Sequence, residues 1–365
     1  MDPVPETIVP AARIPSAWMP KRVLITRSAR NHAHGLAMAE RAAKAGLAVE
    51  ELSGEQVRLG LPDDPRRAYA QAKATLAIVV APPSKRKLQP IAPSADWRLD
   101  LAQGCPAHCS YCYLAGSLKG PPITRAYANL DEIFDAATRY LGEGTITSRN
   151  VDRVGEGTTY EASCYTDPLG IEPITGSVAK AVEWFGAWAA DAQLRFTTKF
   201  ANVETLLPLA HNGRTRMRAS VNPAAYRQFE AGTAPVADRL AALASMAHAG
   251  YPVGLTIAPI IAAEGWREVY GVLIAEAAAA LNDVPGLDLT VELITHRFSP
   301  GSKATLESWY PGSRLDMSDR LRATKRTKFG SKKQVYDKDT MRELRTFFEE
   351  RIGHHIPAAR ILYWT

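Results

Sequence analysis

From Trp97 onward, short apolar runs alternate with longer segments whose apolar residues recur every three or four positions. Such runs read as strands, and the longer spacing reads as amphipathic helix. The strands expected are Arg98 to Ala102, Thr158 to Ala162, Gln193 to Thr197, Arg216 to Val221, Val253 to Ala258 and Leu287 to Leu293. In Asn129 to Leu141, the residues Leu130, Ile133, Phe134, Ala137 and Leu141 form one helical face, and Asn129 stands where a cap would be. Val178, Val182, Phe185 and Trp188 mark a second helix in Ser177 to Ala190. Asp238 to Ala249 ends at Gly250, a natural helix stop, and Trp266 to Leu281 is alanine-rich. These stripes are core faces. Six strands alternating with helices predict a parallel sheet. In α/β barrels the chemistry gathers at the C-terminal ends of the strands.

The flanks differ in character. Arg22 to Ile25 and Thr75 to Val80 read as strands, and Gly35 to Ala45 as a helix stopped by Gly46, so residues 21–88 are expected to form a small α/β domain. The link APPSKRKLQPIAPS, starting at Ala81, carries the prolines and charges of a boundary. Residues 89–300 hold the strand–helix alternation. Residues 301–365 form an extension. In it Val335 and Tyr336 close a hairpin, Asp339 to Ile352 forms a helix with Met341, Leu344, Phe348 and Ile352 inward, and Ala359 to Trp364 forms a last strand. Met1 to Pro20, with five prolines, reads as an extended or disordered arm.

A chain of 365 residues can bury one large core or two smaller ones. No run of about 18 apolar residues exists, so neither a membrane span nor a membrane partner is expected. A cytoplasmic location is expected, where free thiols survive. Net charge is only +6, from 44 basic against 38 acidic residues, and alone argues for no partner. Its distribution says more. Arg320, Arg322, Lys325, Arg326, Lys328, Lys332 and Lys333 stand in one stretch without an acid between Arg320 and Lys333. Such a run is either a phosphate-binding footprint or a solvated charged loop.

The chain has four cysteines, and three of them, Cys105, Cys109 and Cys112, lie within GCPAHCSYCYL as C-x3-C-x2-C. Thiolates are soft ligands that favour zinc or iron–sulfur clusters. A structural zinc site normally takes four protein ligands. Three thiolates on a short loop therefore point to a cubane with one iron left open. A Cys3His zinc knot using His108, or a disulfide, are the alternatives, the latter rare in the cytosol.

C-x3-C-x2-C with an aromatic, here Tyr111, before the last cysteine resembles the signature of radical S-adenosylmethionine (SAM) enzymes. The stretches PSADWRLDLAQGCPAHCSYCYL, YEASCYTDPLGIEPITG, LRFTTKF, HNGRTRMRASVNP, AGYPVGLTIAPI and LTVELITHRF resemble, in order, the spore photoproduct lyase family. The resemblance runs from about Lys21 to the C-terminus. It implies a partial (β/α)6 barrel with a small N-terminal α/β unit and a C-terminal hairpin and helix. It also implies a 4Fe–4S cluster on the three cysteines and SAM as co-substrate, with an electron donor such as flavodoxin or ferredoxin. Cleavage of SAM then yields a 5′-deoxyadenosyl radical.

The same resemblance implies roles for individual residues. Cys164, just past a predicted strand, returns hydrogen to a product thymine radical; the alternative is a buried structural cysteine. Tyr111 and Tyr113 relay hydrogen between the resulting thiyl and the cofactor, or pack over the cluster. Thr166, where relatives commonly carry serine, joins Lys199, Ser220, Asn222 and the backbone of Ala258 in holding SAM. Glu292, His296 and Arg297 form a polar set at the last strand, His296 as a hydrogen-bonded structural residue. The family's substrate is 5-thyminyl-5,6-dihydrothymine in ultraviolet-damaged DNA. Relatives carry a C-terminal hairpin that turns the lesion out of the stack. Here Lys328-Phe329 stands in place of Arg-Tyr, and Ser331-Lys332-Lys333-Gln334 in place of a glycine- and tyrosine-containing run. Arg326, Lys328, Phe329, Lys332 and Lys333 are the DNA contacts this implies. Three functions follow: a lyase reversing that thymine dimer, the same radical chemistry on another substrate, or a metal-stabilised nucleic-acid binder without turnover.

Overall fold

A computed structural model describes residues 17–116, 122–147, 151, 153–326 and 332–365. Its larger sheet has eight strands, in the order Arg360–Trp364, Leu289–Thr295, Val253–Ile260, Thr215–Val221, Ala192–Thr198, Thr158–Glu161, Ala95–Arg98 and Gln89–Ile91. All neighbours are parallel except Gln89–Ile91, which closes an antiparallel hairpin with Ala95–Arg98. Five of the six predicted strands are present, and with Ala95–Arg98 they curl into a partial barrel. The predicted last strand pairs at its open edge, beside Leu289–Thr295.

Helices cover only the outer face of this sheet, so alternate strand positions must be apolar. Leu194, Phe196, Met217, Val221, Leu255, Ile257, Val291 and Leu293 are buried in one cluster with Val178, Val182, Phe185, Leu240, Leu243, Leu273, Ile274 and Phe348 of the helices. Those helices are Ser177–Ala187, Val236–His248, Trp266–Leu281 and Lys338–His355. None of the described helices is long and apolar enough to cross a membrane.

Three expectations change. The strand predicted over Arg98 to Ala102 does not form as one piece. Arg98 ends a barrel strand, and Ala102–Gln103 belongs to a second sheet, antiparallel to Thr124–Tyr127. Leu99 and Leu101 are both buried, so the alternating apolar pattern runs on while the backbone changes sheets. That second sheet, ordered Val49–Glu51, Arg22–Ile25, Thr75–Val79, Thr124–Tyr127 and Ala102–Gln103, takes two strands from beyond residue 88. The N-terminal unit is therefore stitched to the barrel on both sides of the cysteine loop. Finally, Asn129 does not cap the helix Leu130–Ala137 with its side chain. It clamps Ala81 instead, accepting from the Ala81 N–H at 2.8 Å and donating to the Ala81 carbonyl at 3.3 Å.

The interior of the barrel is polar. Arg195, fully buried, pairs with Glu156 at 2.9 Å, and Glu156 also pairs with Arg153 at 2.9 Å. Both arginines donate to the Ser94 carbonyl, at 2.7 and 2.9 Å, fixing the segment that enters the first barrel strand. Removing one partner of a buried pair leaves an uncompensated charge, at a cost of about 3–5 kcal/mol. Glu156→Ala is thus expected to lower the free energy of unfolding by about that amount in equilibrium urea denaturation; an unchanged midpoint would contradict this account of the barrel interior.

Candidate functional site

The C-terminal ends of the barrel strands open into a cavity of about 420 Å³. Cys105, Cys109, Cys112, Tyr111, Tyr113, Cys164, Thr166, Lys199, Ser220 and Ala258 all line it. Asn222 does not; it lies just behind, buried, and donates to the Ala258 carbonyl at 3.1 Å. The cysteines singled out by their spacing and the residues implied by the family resemblance therefore converge on one place.

The cysteine loop is held from several sides. Gly104 has φ +89°, and a Cβ there would lie 2.3 Å from the Ile123 carbonyl oxygen, so only glycine fits before Cys105. Its N–H donates to the Tyr165 carbonyl at 2.8 Å, joining the loop to the segment that carries Cys164. Lys73, at the end of the helix Pro65–Lys73, donates to the carbonyls of Cys105 and Ala107. Cys109 pairs with Glu230 in a short antiparallel bridge. Burial raises the Cys109 thiol well above its ordinary range, and burial pushes Cys105 up to about 11 against the pull of Lys73. Metal binding to these thiols must therefore expel protons.

All four cysteines are free thiols, which removes the disulfide reading. His108 is not among the cavity-lining residues. It meets the Tyr69 hydroxyl at 3.4 Å and the Tyr69 ring edge-on, and Tyr69 stacks on Trp309. Among the described residues, no three His, Cys, Asp or Glu side chains close on a point that could hold one metal ion. The three thiols line the cavity wall.

Around the loop stands a network centred on a carboxylate that the sequence did not single out. Glu230, 2 % exposed, pairs with Lys199 at 2.8 Å and Arg239 at 2.7 Å. It also accepts hydrogen bonds from the Tyr111 hydroxyl and, at 3.2 Å, from Asn222. Burial alone would raise its carboxyl; the Lys199 and Arg239 charges more than offset this and bring it down to about 2. Lys199 further donates to Ser220 at 2.9 Å and the Ala258 carbonyl at 3.1 Å. Thr166 Oγ1 is buried at the cavity wall with no hydrogen-bond partner among the described residues, an open valence for a bound ligand.

Across the cavity, Arg218 forms ion pairs with both Glu161 and Glu292, and Tyr363 donates to Glu292 at 3.1 Å. Glu161 and Arg218 lay inside stretches that carry the family resemblance; Glu230 lay outside them, with no local motif to mark it. Cys164 is 9 % exposed, its Sγ 3.8 Å from the Glu161 carbonyl. Burial, helped by the Asp100 carboxylate, pushes its thiol up to about 12. Tyr113 donates to the Cys164 carbonyl at 2.6 Å, whereas Tyr111 faces Glu230. His296 is buried and neutral, its pKa lowered to about 3 by burial and by Arg322.

The basic stretch forms the hairpin Arg322–Arg326 with Lys332–Tyr336. Arg322 is spent on structure: it donates to the His296 carbonyl at 2.7 Å, contacts His296 Nδ1 at 3.0 Å and lies 3.9 Å from the Tyr336 ring centre. Lys325 stands opposite Lys333, and Arg326 opposite Lys332. Lys328 and Phe329 lie outside the described residues.

The spore photoproduct lyase family model matches residues 18–365. The spore photoproduct lyase of Geobacillus sp. (strain Y412MC61) is 37% identical over 350 residues, 95% of this chain and 99% of the relative. That of Bacillus subtilis (strain 168) is 37% identical over 351 residues, again 95% and 99%. A solved mutant of spore photoproduct lyase with bound AdoMet and dinucleoside spore photoproduct superposes with a TM-score of 0.87 at 36% identity, covering 96% of this chain and all of that one. On full-length sequence and on fold alike, the chain belongs to the spore photoproduct lyase family.

Proposed function

We propose that this chain is a radical SAM lyase that restores two thymines from the spore photoproduct, 5-thyminyl-5,6-dihydrothymine, in DNA. The observation that carries the reading is the convergence of three loop thiols, a fourth protonated thiol and a row of strand-end polar groups on one cavity. Relatives of the same fold are solved with AdoMet and the dinucleoside lesion bound.

Cys105, Cys109 and Cys112 would hold a 4Fe–4S cluster, and Thr166, Lys199, Ser220 and the Ala258 backbone would hold SAM. Bound there, the pair supplies a carbon radical able to take hydrogen from the lesion. The protein's own work is placement and quenching. Lys199 offers a carboxylate a point charge, and Glu230 fixes where that ammonium sits. Asn222 acts from behind by holding Ala258. Cys164 keeps its S–H at neutral pH because burial disfavours the thiolate, and so carries the hydrogen that a thymine radical needs. Tyr113, held on the Cys164 carbonyl, would pass its phenolic hydrogen to the sulfur left as a thiyl and would draw a replacement from the 5′-deoxyadenosine of the cleaved co-substrate. Tyr111, committed to Glu230, positions Lys199 and shields the loop.

The hairpin supplies the DNA contact. Like charges directly opposite on a strand pair are destabilising, so the pairs Lys325–Lys333 and Arg326–Lys332 make sense against phosphate. Lys328 and Phe329 would extend this contact, Phe329 as an apolar wedge between bases. The Ser331-Lys332-Lys333-Gln334 sequence favours a second reading, in which the same chemistry acts on a different lesion. Electrons would come from a small reductant such as flavodoxin or ferredoxin, in a cytoplasmic setting.

Anaerobic reconstitution with dithionite, SAM and a dinucleotide spore photoproduct is expected to give thymine dinucleotide; SAM cleavage without repair would favour the second reading, and no SAM cleavage would contradict both. Cys164→Ala is expected to leave SAM cleavage intact while the product radical runs to side products, read by chromatography of the repair mixture; clean repair by this variant would remove Cys164 from the mechanism. Glu230 also has a pH signature. Its carboxyl is held near 2 against an ordinary 4.5, so its stabilisation is complete above about 4.5 and is lost as pH falls toward 2. Glu230→Gln should flatten that part of the stability–pH curve; an identical slope in both proteins would be evidence against the network.

A further inference from the structure

Arg297 follows the strand Leu289–Thr295 and lines the cavity. Both of its neighbours are tied to the hairpin. Arg322 holds the His296 carbonyl at 2.7 Å, and Phe298 exchanges backbone hydrogen bonds with Gln334 at 3.2 and 2.7 Å. Arg297 itself has no hydrogen bond or ion pair among the described residues. The groups its charge meets are the phenols of Tyr363 and Tyr113 and, from the hairpin, the Lys333 ammonium, which stands opposite Lys325. Burial and these two cations lower the Lys333 pKa. The nearby carboxylates cannot help, because Glu161 and Glu292 are both committed to Arg218. A half-buried guanidinium whose neighbouring charge is the Lys333 ammonium is costly unless an anion arrives. The bases and sugars of a thymine lesion are neutral; its anion is the phosphodiester.

We propose that Arg297, backed by Lys333, grips the phosphodiester joining the two nucleosides of the lesion, and so makes the enzyme prefer strand-embedded lesions to phosphate-free ones. This rests on the lyase reading above and adds to it a positioning residue for the substrate backbone. Arginine suits the task because its planar fork matches phosphate oxygens in pairs.

The test compares Arg297→Gln and Arg297→Lys with wild type on two substrates, the lesion with and without its internucleoside phosphate. Arg297→Gln is expected to raise KM about tenfold or more for the phosphodiester substrate, as loss of a charge-assisted hydrogen bond implies, and to leave KM for the phosphate-free substrate unchanged. Arg297→Lys should recover part of the loss. Binding of a short thymidine oligonucleotide, titrated with salt, gives a readout that needs no turnover. Its log–log slope should become shallower by about 0.7 in Arg297→Gln, one phosphate's worth on a single strand. Equal losses on both substrates, weaker SAM binding, or an unchanged salt slope would each overturn the proposal. If wild type turns over neither substrate, the lyase reading fails, while the salt slope still decides the role of Arg297.

Discussion

One buried carboxylate holds the site together. Glu230 reaches Tyr111 on the cysteine loop, Lys199 at the end of one barrel strand, Asn222 at the end of the next, and Arg239 on the helix behind. Its backbone pairs with Cys109. Two cations around one desolvated anion compensate each other only while all stay in place, which is why such groups fix a geometry more than they add stability. With Glu230 set, the loop bearing the three thiols and the strand ends bearing the polar groups are one rigid frame around a common cavity.

The same logic of satisfied charge runs through the barrel. Arg218 is spent on Glu161 and Glu292, Arg195 on Glu156, and Arg216 on Asp288. Pairing empties the cavity wall of free charge almost everywhere. What stays unpaired among the described residues is then informative: the Thr166 hydroxyl on the side where SAM would bind, and the Arg297 guanidinium on the side facing the hairpin. A hydroxyl and a cation left without partners are the marks of a site built to receive something else.

Much of this was legible in the chain. Five of the six predicted barrel strands could be read because their helix-facing positions are apolar, and the cysteine spacing with Tyr111 marked the loop that the fold brings to the cavity. Where reading failed, the reason is physical. Leu99 and Leu101 keep the apolar alternation while the backbone passes from one sheet to another, so periodicity could not show the break after Arg98. Asn129 looked like a cap because its partner, Ala81, is 48 residues away. The basic run could not reveal that Arg322 serves His296 rather than solvent or phosphate. Glu230 carried no motif at all; its importance lies in which groups the fold brings to it, and only packing shows that.

If the three loop thiols carry an iron–sulfur cluster open to SAM, electron paramagnetic resonance of the anaerobically reconstituted, reduced protein, recorded before and after SAM is added, will reveal it. A 4Fe–4S signal whose g-values shift when SAM binds is expected, with loss of that signal in Cys109→Ala. Zinc in place of iron and sulfide, or a cluster spectrum indifferent to SAM, would contradict it.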